Sequence, residues 1–268
     1  MASVSNAGDL ELLAATLSGA GFVAAREEAA ELVTRAAGDR ELLDAFVRRR
    51  LTGEPLAWIT GSTSFCGIRI RVDRGVYVPR WQTEPLVRRA IERLPARGIA
   101  IDLCTGTGGI ARALMLGRPE ATVVASDTDP RAVACATANG VDAYLGDLFA
   151  ALPESLHGRV HVVVGAVPYV PTGELPLLQR DTLTFESRRS YDGGGDGTGI
   201  LRRILNDAPR FLRDGGALLL ELGGEQAAML GDDLVRLGYT DVDVFCDEEG
   251  DVRGLEATLS RVASAGGA

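Results

Sequence analysis

The sequence predicts an α/β protein in which a helical region precedes a largely parallel sheet flanked by helices. From Ile99 onward, short apolar segments with strand character alternate with segments of helical spacing, and such alternation is typical of a parallel sheet. Before that point, residues 9 to 50 carry apolar side chains at helical spacing. The chain has 268 residues, 46% of them hydrophobic, so it can bury a sizeable core.

Charge argues against one functional class. The formal net charge is −9, whereas proteins that bind nucleic acid need clustered lysines and arginines against the phosphates. The only dense basic run is Arg48-Arg49-Arg50, and we expect it at a solvated helix end. The sequence therefore predicts no nucleic-acid partner.

The cysteines and histidines indicate whether the protein has a structural metal site and in which cellular compartment it resides. The four cysteines form no C-x-x-C pair and there are two histidines, so we expect neither a structural zinc site nor a disulfide framework. Residues 1–13 lack the basic start of a signal peptide, and no apolar run is long enough to cross a bilayer. These features predict a cytoplasmic protein with no membrane partner, and they leave its oligomeric state open.

Residues 1–52 are predicted to form an N-terminal helical bundle. The first helix has one apolar face, made by Leu10, Leu13, Ala14 and Leu17. Glycines at 19 and 21 break this helix, and two further helical patterns follow at 24–37 and 40–51. Such a bundle is more often a docking module than a catalytic one.

Residues 53–84 are predicted to be a linking segment with a β-hairpin. Apolar residues between 62 and 78 are interspersed with glycine and polar residues, which is typical of two short strands. The turn formers Asp73-Arg74-Gly75 place the expected turn between those strands. A helix is predicted to follow from Glu84 to Leu94.

Residues 85–262 are predicted to form the main α/β domain, and residues 263–268 a flexible tail. Seven strands are expected, at 99–103, 122–126, 142–145, 161–165, 216–221, 240–246 and 254–260. Helices are expected at 109–117, 130–139, 198–213 and 225–237. The last two strands flank a turn-rich segment, so they predict a hairpin that places an antiparallel strand at the edge of the sheet.

A glycine-rich turn follows the first strand of this domain. The strand ends at Asp102-Leu103, and the turn continues through Cys104, Thr105, Gly106, Thr107 and Gly108. Glycines are needed where the backbone turns sharply and a ligand comes close. We therefore predict that a cofactor binds along Cys104, Thr105, Gly106 and Gly108.

Acidic residues stand at three successive strand ends. Asp102 precedes the glycine turn, Asp127 ends the next strand, and Asp147 follows the third strand. An acid at the second position accepts hydrogen bonds from ribose hydroxyls in nucleotide-binding α/β folds. We predict that Asp102 holds an amino-acid part of the cofactor, that Asp127 holds its ribose, and that Asp147 with Leu148 holds its adenine. Thr128 is also predicted to contact the cofactor.

The three acids favour S-adenosylmethionine (SAM) over a dinucleotide. The glycines alone also fit a relaxed NAD fingerprint, Gly106-x-Gly108-x-x-Ala111. Asp102 would repel a pyrophosphate, whereas it attracts a cofactor that carries an ammonium and a sulfonium. An acid-capped turn without a ligand is possible for any one of the three acids but improbable for all three together. The predicted product is S-adenosylhomocysteine.

Further motifs occur in a specific order along nearly the whole chain. They are Gly53-Glu54-Pro55-Leu56, Phe65-x-Gly67, Val78-Pro79-Arg80-Trp81-Gln82-Thr83-Glu84, Asp102 to Gly108, Phe185-Glu186, Gly194 to Gly197, and Glu221-Leu222-Gly223 with Gln226. In this order the chain resembles the HemK/PrmC-type protein-(glutamine-N5) methyltransferases, which act on peptide-chain release factors. The resemblance implies a Rossmann-like class I SAM-dependent methyltransferase domain with a seven-stranded mixed sheet, preceded by a helical bundle and a β-hairpin.

One motif of that family is altered. The family carries Asn-Pro-Pro-Tyr after the fourth strand, and this chain has Ala166-Val167-Pro168-Tyr169. The resemblance implies that Ala166, Pro168 and Tyr169 stand at the catalytic position. An amide nitrogen is a poor nucleophile, and the Asn oxygen with a backbone carbonyl accepts its two N–H groups and orients it. Alanine offers no such acceptor.

Three explanations of this change compete. The acceptor is a hydroxyl, a carboxylate or a ring nitrogen, for example in a small planar metabolite of a biosynthetic pathway. Alternatively, the acceptor is an amide, and backbone carbonyls or water replace the asparagine, or the asparagine was exchanged to quench turnover. As a third explanation, the protein binds SAM without transferring its methyl group. The acceptor is thus either a release-factor-like protein or a small molecule.

Several other residues are predicted on the acceptor side. The family segment Arg-Pro-Glu-Thr-Glu reads Arg80-Trp81-Gln82-Thr83-Glu84 here, so Trp81 and Gln82 are candidates to contact the acceptor. An exposed packing role for Trp81 is an equal alternative. Val167 and Glu186 complete the predicted substrate site, and Tyr169 is expected to stack on a planar acceptor.

Overall fold

The structure is a computed structural model that describes residues 6–178 and 180–261. The predicted flexible tail lies outside these residues. The chain forms two compact units, which divide between Thr63 and Ser64. The boundary therefore falls inside the segment 53–84 that the sequence predicts to be a linker. Among the described residues, no helix is both long and apolar enough to span a membrane.

The smaller unit consists of helices, as predicted. Its elements are α1 (Asn6–Gly19), α2 (Ala25–Ala36), α3 (Arg40–Leu51) and α4 (Leu56–Thr60). Leu17, Ala29 and Leu32 are fully buried in its core. The basic run at the end of α3 is not simply solvated, because Arg49 pairs with Glu54 at 2.8 Å and Arg50 pairs with Glu28 at 2.6 Å.

The predicted hairpin exists, but the prediction of its turn was wrong. Strand β1 (Ser62–Phe65) and strand β2 (Ile68–Arg71) are joined by Cys66 and Gly67. Both of these residues have a positive φ, 50° and 72° respectively. A two-residue turn of this kind matches the twist of the two strands. The segment 73–75 forms a separate turn, in which Val76 N–H donates to the Asp73 carbonyl oxygen at 3.1 Å.

The larger unit contains the predicted seven-stranded mixed sheet. Its helices are α5 (Glu84–Arg93), α6 (Gly109–Gly117), α7 (Pro130–Ala138), α8 (Arg180–Phe185), α9 (Gly199–Phe211), α10 (Gln226–Met229) and α11 (Gly231–Arg236). Its strands are β3 (Ile99–Leu103), β4 (Thr122–Asp127), β5 (Asp142–Leu145), β6 (Val160–Gly165), β7 (Leu212–Glu221), β8 (Tyr239–Cys246) and β9 (Val252–Leu259). The strand order is β5-β4-β3-β6-β7-β9-β8.

Two further predictions need correction. The antiparallel strand is β9, and it lies between β7 and β8 rather than at the edge. The buried inner position suits β9, which carries Leu255, Ala257 and Leu259, whereas β8 exposes most of its residues. The helix predicted at 225–237 is two short helices, α10 and α11, which meet at Leu230.

The central strands are buried on both faces. Ile101 and Leu103 of β3 pack into one core cluster, while Ala100 of the same strand packs into a second cluster. This alternation follows from the two-residue period of a strand. Strands β3 to β7 all run parallel, so their carboxyl ends share one edge, where ligands bind in folds of this kind.

We expect Leu219→Ala to destabilise the larger unit. Leu219 is fully buried on β7, so the truncation leaves a cavity and should lower the free energy of unfolding by about 2–5 kcal/mol. Leu116→Ala is the matched control, because Leu116 on α6 is 48% exposed; its cost should stay below about 1 kcal/mol. Urea denaturation measures both values. Equal losses would contradict the assignment of β7 to the core.

Candidate functional site

A cavity of about 260 Å³ opens at the carboxyl ends of the parallel strands. Residues from five strand ends contribute to its wall. They include Cys104 after β3, Asp127 at the end of β4, Gly146 after β5, Ala166 after β6 and Glu221 at the end of β7. The cavity therefore lies where the fold places a ligand site, and it brings together most of the predicted residues.

The loop after β3 is tightly constrained. Cys104 and Gly106 both have a φ of 56°, a backbone conformation that is unfavourable for a cysteine and is often found at functional sites. Gly106 N–H donates to Asp127 Oδ2 at 2.9 Å, and Thr105 N–H donates to the Ser126 carbonyl oxygen at 3.1 Å. A Cβ on Gly106 would meet no atom within 4 Å, so this glycine faces open space.

Gly108 serves packing rather than the wall of the cavity. Its φ is 78°, and a Cβ there would come within 2.9 Å of Val141 and 3.0 Å of Ala136. The glycine therefore allows α6 to start close to α7. Gly108 does not line the cavity, and its predicted contact with a cofactor stays a prediction.

Asp102 lies behind the loop. Its side chain is fully buried, and Oδ2 accepts hydrogen bonds from Thr105 Oγ1 at 2.6 Å and from Ala111 N–H at 3.1 Å. Burial raises the pKa of this carboxyl to about 7. Asp102 thus fixes the shape of the loop, and among the described residues Oδ1 has no hydrogen-bond partner.

Asp127 both supports the loop and faces the cavity. Oδ2 holds Gly106, and Oδ1 accepts from Asp129 N–H at 2.9 Å. Burial raises the pKa of Asp127, while the backbone hydrogen bonds oppose that rise. Thr128 also lines the cavity. Each carboxylate oxygen has a second lone pair, so Asp127 can accept hydroxyl donors from a ligand as well.

Asp147 and Leu148 form the next part of the wall. Asp147 Oδ2 pairs with Arg203 of α9 at 2.7 Å, and both side chains are about half exposed. Leu148 is buried and has a φ of 49°. This pair of residues places an acceptor oxygen beside an apolar side chain, as recognition of an adenine ring requires.

The first half of the cavity fits an adenosyl sulfonium. Ser126 Oγ lies buried in the wall and has no hydrogen-bond partner among the described residues. Asp127 and Asp147 place carboxylate oxygens in this wall, and Gly106 leaves room for close approach of a ligand. A nucleoside that carries positive charge suits these features. Asp102 lines neither cavity, so its predicted contact with the cofactor stays a prediction.

A smaller cavity of about 40 Å³ adjoins the same loop. It is lined by Thr105, Phe65 and Thr83, and it shares Ala166 with the larger cavity. Thr105 therefore faces this smaller space. Ala166 borders both cavities, so no long side chain stands between them at this position.

Pro168 and Tyr169 form the second half of the larger cavity, together with the buried Val167. The Tyr169 hydroxyl donates to Glu221 Oε1 at 3.2 Å, and Gln226 Nε2 donates to the Tyr169 carbonyl oxygen at 2.6 Å. Burial and the negative charge of Glu221 raise the pKa of the Tyr169 phenol, so it remains a donor. The ring is thereby fixed at the wall.

Three residues predicted on the acceptor side do not line either cavity. Trp81 is 64% exposed, which agrees with its alternative reading as a surface residue. Gln82 has a buried Oε1 without a hydrogen-bond partner in the described part of the chain. Glu186 is buried, where it pairs with Arg80, accepts from the Tyr191 hydroxyl, and accepts from Val78 N–H at 3.0 Å. Glu186 therefore supports the wall from behind.

The sequence patterns missed many residues of the wall, among them Tyr77, Arg189, Tyr191, Arg203 and Glu221. Tyr77 and Tyr191 meet edge to face with ring centroids 5.6 Å apart, a contact between distant segments that no local pattern signals. Glu221 could have been predicted from the sequence, because it is an acid at the end of a parallel strand, as Asp127 is.

Comparisons with known proteins agree with this geometry. No protein-family model matches the sequence. The chain is 34% identical to the release factor glutamine methyltransferase of Mycolicibacterium smegmatis over 93% of this chain and 96% of that protein. It is 36% identical to the enzyme of the same name from Geobacter sulfurreducens over 76% of this chain and 73% of that protein.

A solved structure supports the fold. The ribosomal protein L11 methylase of Lactobacillus delbrueckii subsp. bulgaricus superposes with a TM-score of 0.51 and 17% identity, over 72% of this chain and 86% of that one. The predicted fold class and the predicted family resemblance are both confirmed. The chain therefore belongs to the release factor glutamine methyltransferase family and is an enzyme of the methyltransferase type.

Proposed function

We propose that this enzyme transfers the methyl group of SAM to the side-chain amide nitrogen of a glutamine in a release-factor-like protein, and that it releases S-adenosylhomocysteine. The two relatives described above carry the words release factor and glutamine in their names. The observation that carries the proposal is a single cavity with Asp127 and Asp147 in one half and Pro168 and Tyr169 in the other. In such a cavity a donor and an acceptor would lie side by side.

In the first half, the residues act by binding and orienting. The loop held by Asp102 and Asp127 would receive the methionyl part and the ribose, and Asp147 with Leu148 the adenine. When bound, SAM supplies an electrophilic methyl group on a sulfonium. Because methyl transfer is an in-line displacement, the fixed loop contributes by placing the donor at a defined angle to the acceptor.

In the second half, Tyr169 would pack against the acceptor amide, and Pro168 and Val167 would shape the slot. Glu221 and Gln226 hold Tyr169 at its hydroxyl and its carbonyl oxygen. This wall would limit the rotation of a bound amide. The charge and cysteine usage of the chain accord with a cytoplasmic enzyme that acts on protein rather than on nucleic acid.

One observation favours a second candidate function. Ala166 offers no side-chain oxygen to orient an amide, so a small planar acceptor with a hydroxyl or a ring nitrogen would suit this site equally well. The cavity wall of Tyr77, Tyr169 and Tyr191 has the aromatic character for such a molecule. This alternative would be favoured if the enzyme methylates a small aromatic hydroxyl compound but does not methylate release factor.

We expect Asp127→Asn to weaken SAM binding by roughly tenfold to a hundredfold, about 1–3 kcal/mol. The substitution removes the charge that attracts the cofactor and weakens the contact to Gly106. Isothermal titration calorimetry with SAM measures the effect, with NAD as a competing ligand. Asp232→Asn, which alters an exposed acid of α11, should leave the affinity unchanged. Preferential binding of NAD would overturn the proposed cofactor.

We expect the unaltered enzyme to transfer a labelled methyl group from SAM to one glutamine of release factor, located by mass spectrometry. Ala166→Asn should raise kcat about tenfold, because one additional acceptor worth about 1.4 kcal/mol in the transition state has that effect. Ala166→Leu, which fills the space without adding an acceptor, is the control. If neither the unaltered enzyme nor Ala166→Asn transfers label, the proposed acceptor is wrong.

A further inference from the structure

We infer that the Glu221 carboxylate takes over the missing amide acceptor at position 166, binding an N–H of the methyl acceptor and receiving its proton. This inference rests on the proposed function and adds a catalytic residue to it. It starts from the register of two neighbouring strands. Gly165 at the end of β6 pairs with Leu220 of β7, so the next residues along the two strands, Ala166 and Glu221, stand side by side.

The position and burial of Glu221 suit this role. The residue is 8% exposed, and it lines the same cavity as Ala166 and Tyr169. Its oxygens accept from the Thr83 hydroxyl at 2.6 Å and from the Tyr169 hydroxyl at 3.2 Å. A carboxylate has about four acceptor sites. Contacts within the described part of the chain use two of them, which leaves lone pairs for a donor in the cavity.

Within residues 6–178 and 180–261, the two hydrogen-bond donors to Glu221 are neutral. Burial raises the pKa of this carboxyl, and the hydrogen bonds from Thr83 and Tyr169 oppose the rise, as does the charge of Arg253. Arg253 is itself paired with Asp247 at 2.6 Å and lies 3.6 Å from Asp251. A carboxylate so weakly neutralised in a cavity is a good proton acceptor.

The phenols that face Glu221 do not compete for this proton. Burial raises the pKa of Tyr77 to about 12, with Arg80 opposing the rise and Glu221 adding to it. The pKa of Tyr169 is raised by burial and by Glu221 as well. Both phenols therefore stay protonated near neutral pH, and Glu221 is the base among these neighbours.

The chemistry balances with SAM as the co-reactant. The acceptor nitrogen forms a bond to the methyl carbon while the carbon–sulfur bond breaks, and the bonding pair passes to sulfur. The nitrogen gains positive charge and gives up one proton, which Glu221 accepts. The proton then leaves to solvent when the product departs. An amide needs this help most, because its nitrogen becomes acidic only as the new bond forms.

The test compares Glu221→Gln with the unaltered enzyme in labelled methyl transfer to release factor. We expect kcat to fall about a hundredfold, with the KM for release factor changed less than threefold. In the unaltered enzyme, kcat should fall as the pH is lowered through the raised pKa of Glu221, because the protonated form cannot take the proton. This acid limb should be absent from the profile of Glu221→Gln.

Three additional variants sharpen the test. Glu225→Gln alters a nearby exposed acid that lines neither cavity, so its kcat should match that of the unaltered enzyme. In the Ala166→Asn background, Glu221→Gln should cost less than tenfold, because the asparagine restores an acceptor. Glu221→Asp retains a base, so the fall of kcat at low pH should remain in this variant. If Glu221→Gln does not fold, the pH profiles of Glu221→Asp and of the unaltered enzyme test the role of Glu221 instead.

The outcomes separate the two levels of the proposal. The role of Glu221 is overturned, and the proposed function stands, if Glu221→Gln transfers methyl as fast as the unaltered enzyme. A pH profile of the unaltered enzyme without a fall of kcat at low pH has the same meaning. An equal cost of Glu221→Gln with and without Ala166→Asn does the same, because it shows a structural role. Absence of transfer to release factor from both backgrounds overturns the proposed function and this role together.

Discussion

The hydrogen bond from Gly106 N–H to Asp127 Oδ2 connects two neighbouring strand ends, and the geometry of the site depends on it. At 2.9 Å, it fixes the loop after β3 against the end of β4. Asp102 anchors the same loop from below through Thr105 and Ala111. The strained backbone at Cys104 persists because these contacts hold it. Since the loop is fixed in advance, a ligand need not supply the free energy to order it.

The second half of the site depends on the pairing of β6 with β7. This pairing brings the altered motif, Ala166 to Tyr169, beside Glu221. In the mechanism that we propose, the carboxylate of Glu221 on β7 supplies the acceptor that position 166 lacks. The network of Glu186 with Arg80 and Tyr191 holds the opposite wall. Some residues of this half therefore face the cavity, whereas Glu186 and Arg80 hold the wall in place from behind.

Much of the fold followed from local patterns in the sequence. The helices at 10–50 and the alternation from Ile99 onward were predictable because burial imposes a period of 3.6 residues on helices and of two on strands. The hairpin turn was misplaced because Asp73-Arg74-Gly75 is a turn sequence, whereas Cys66 adopts a positive φ against its own preference. The place of β9 depended on non-local pairing, which no local pattern determines.

The site was predictable in part for the same reason. Asp127 and Asp147 stand at strand ends, and strand ends can be found in a sequence. Tyr77, Tyr191 and Arg203 reach the cavity from segments that are distant along the chain, so only the assembled structure reveals them. Trp81 and Glu186 were placed at the acceptor by their position in a motif. Trp81 is exposed, Glu186 is buried behind the wall, and neither lines the cavity, so their contact with an acceptor stays a prediction.

The inserted strand β9 has a consequence for biosynthesis. Glu221 pairs with Gly254 of β9, where a Cβ would come within 2.4 Å of Phe245 and 2.7 Å of the Leu220 carbonyl oxygen. Because β9 is the last described strand along the chain, Glu221 can acquire this neighbour only after residues 252–259 have been synthesised. The acceptor half of the site is therefore completed by a pairing between strands that are distant in the sequence.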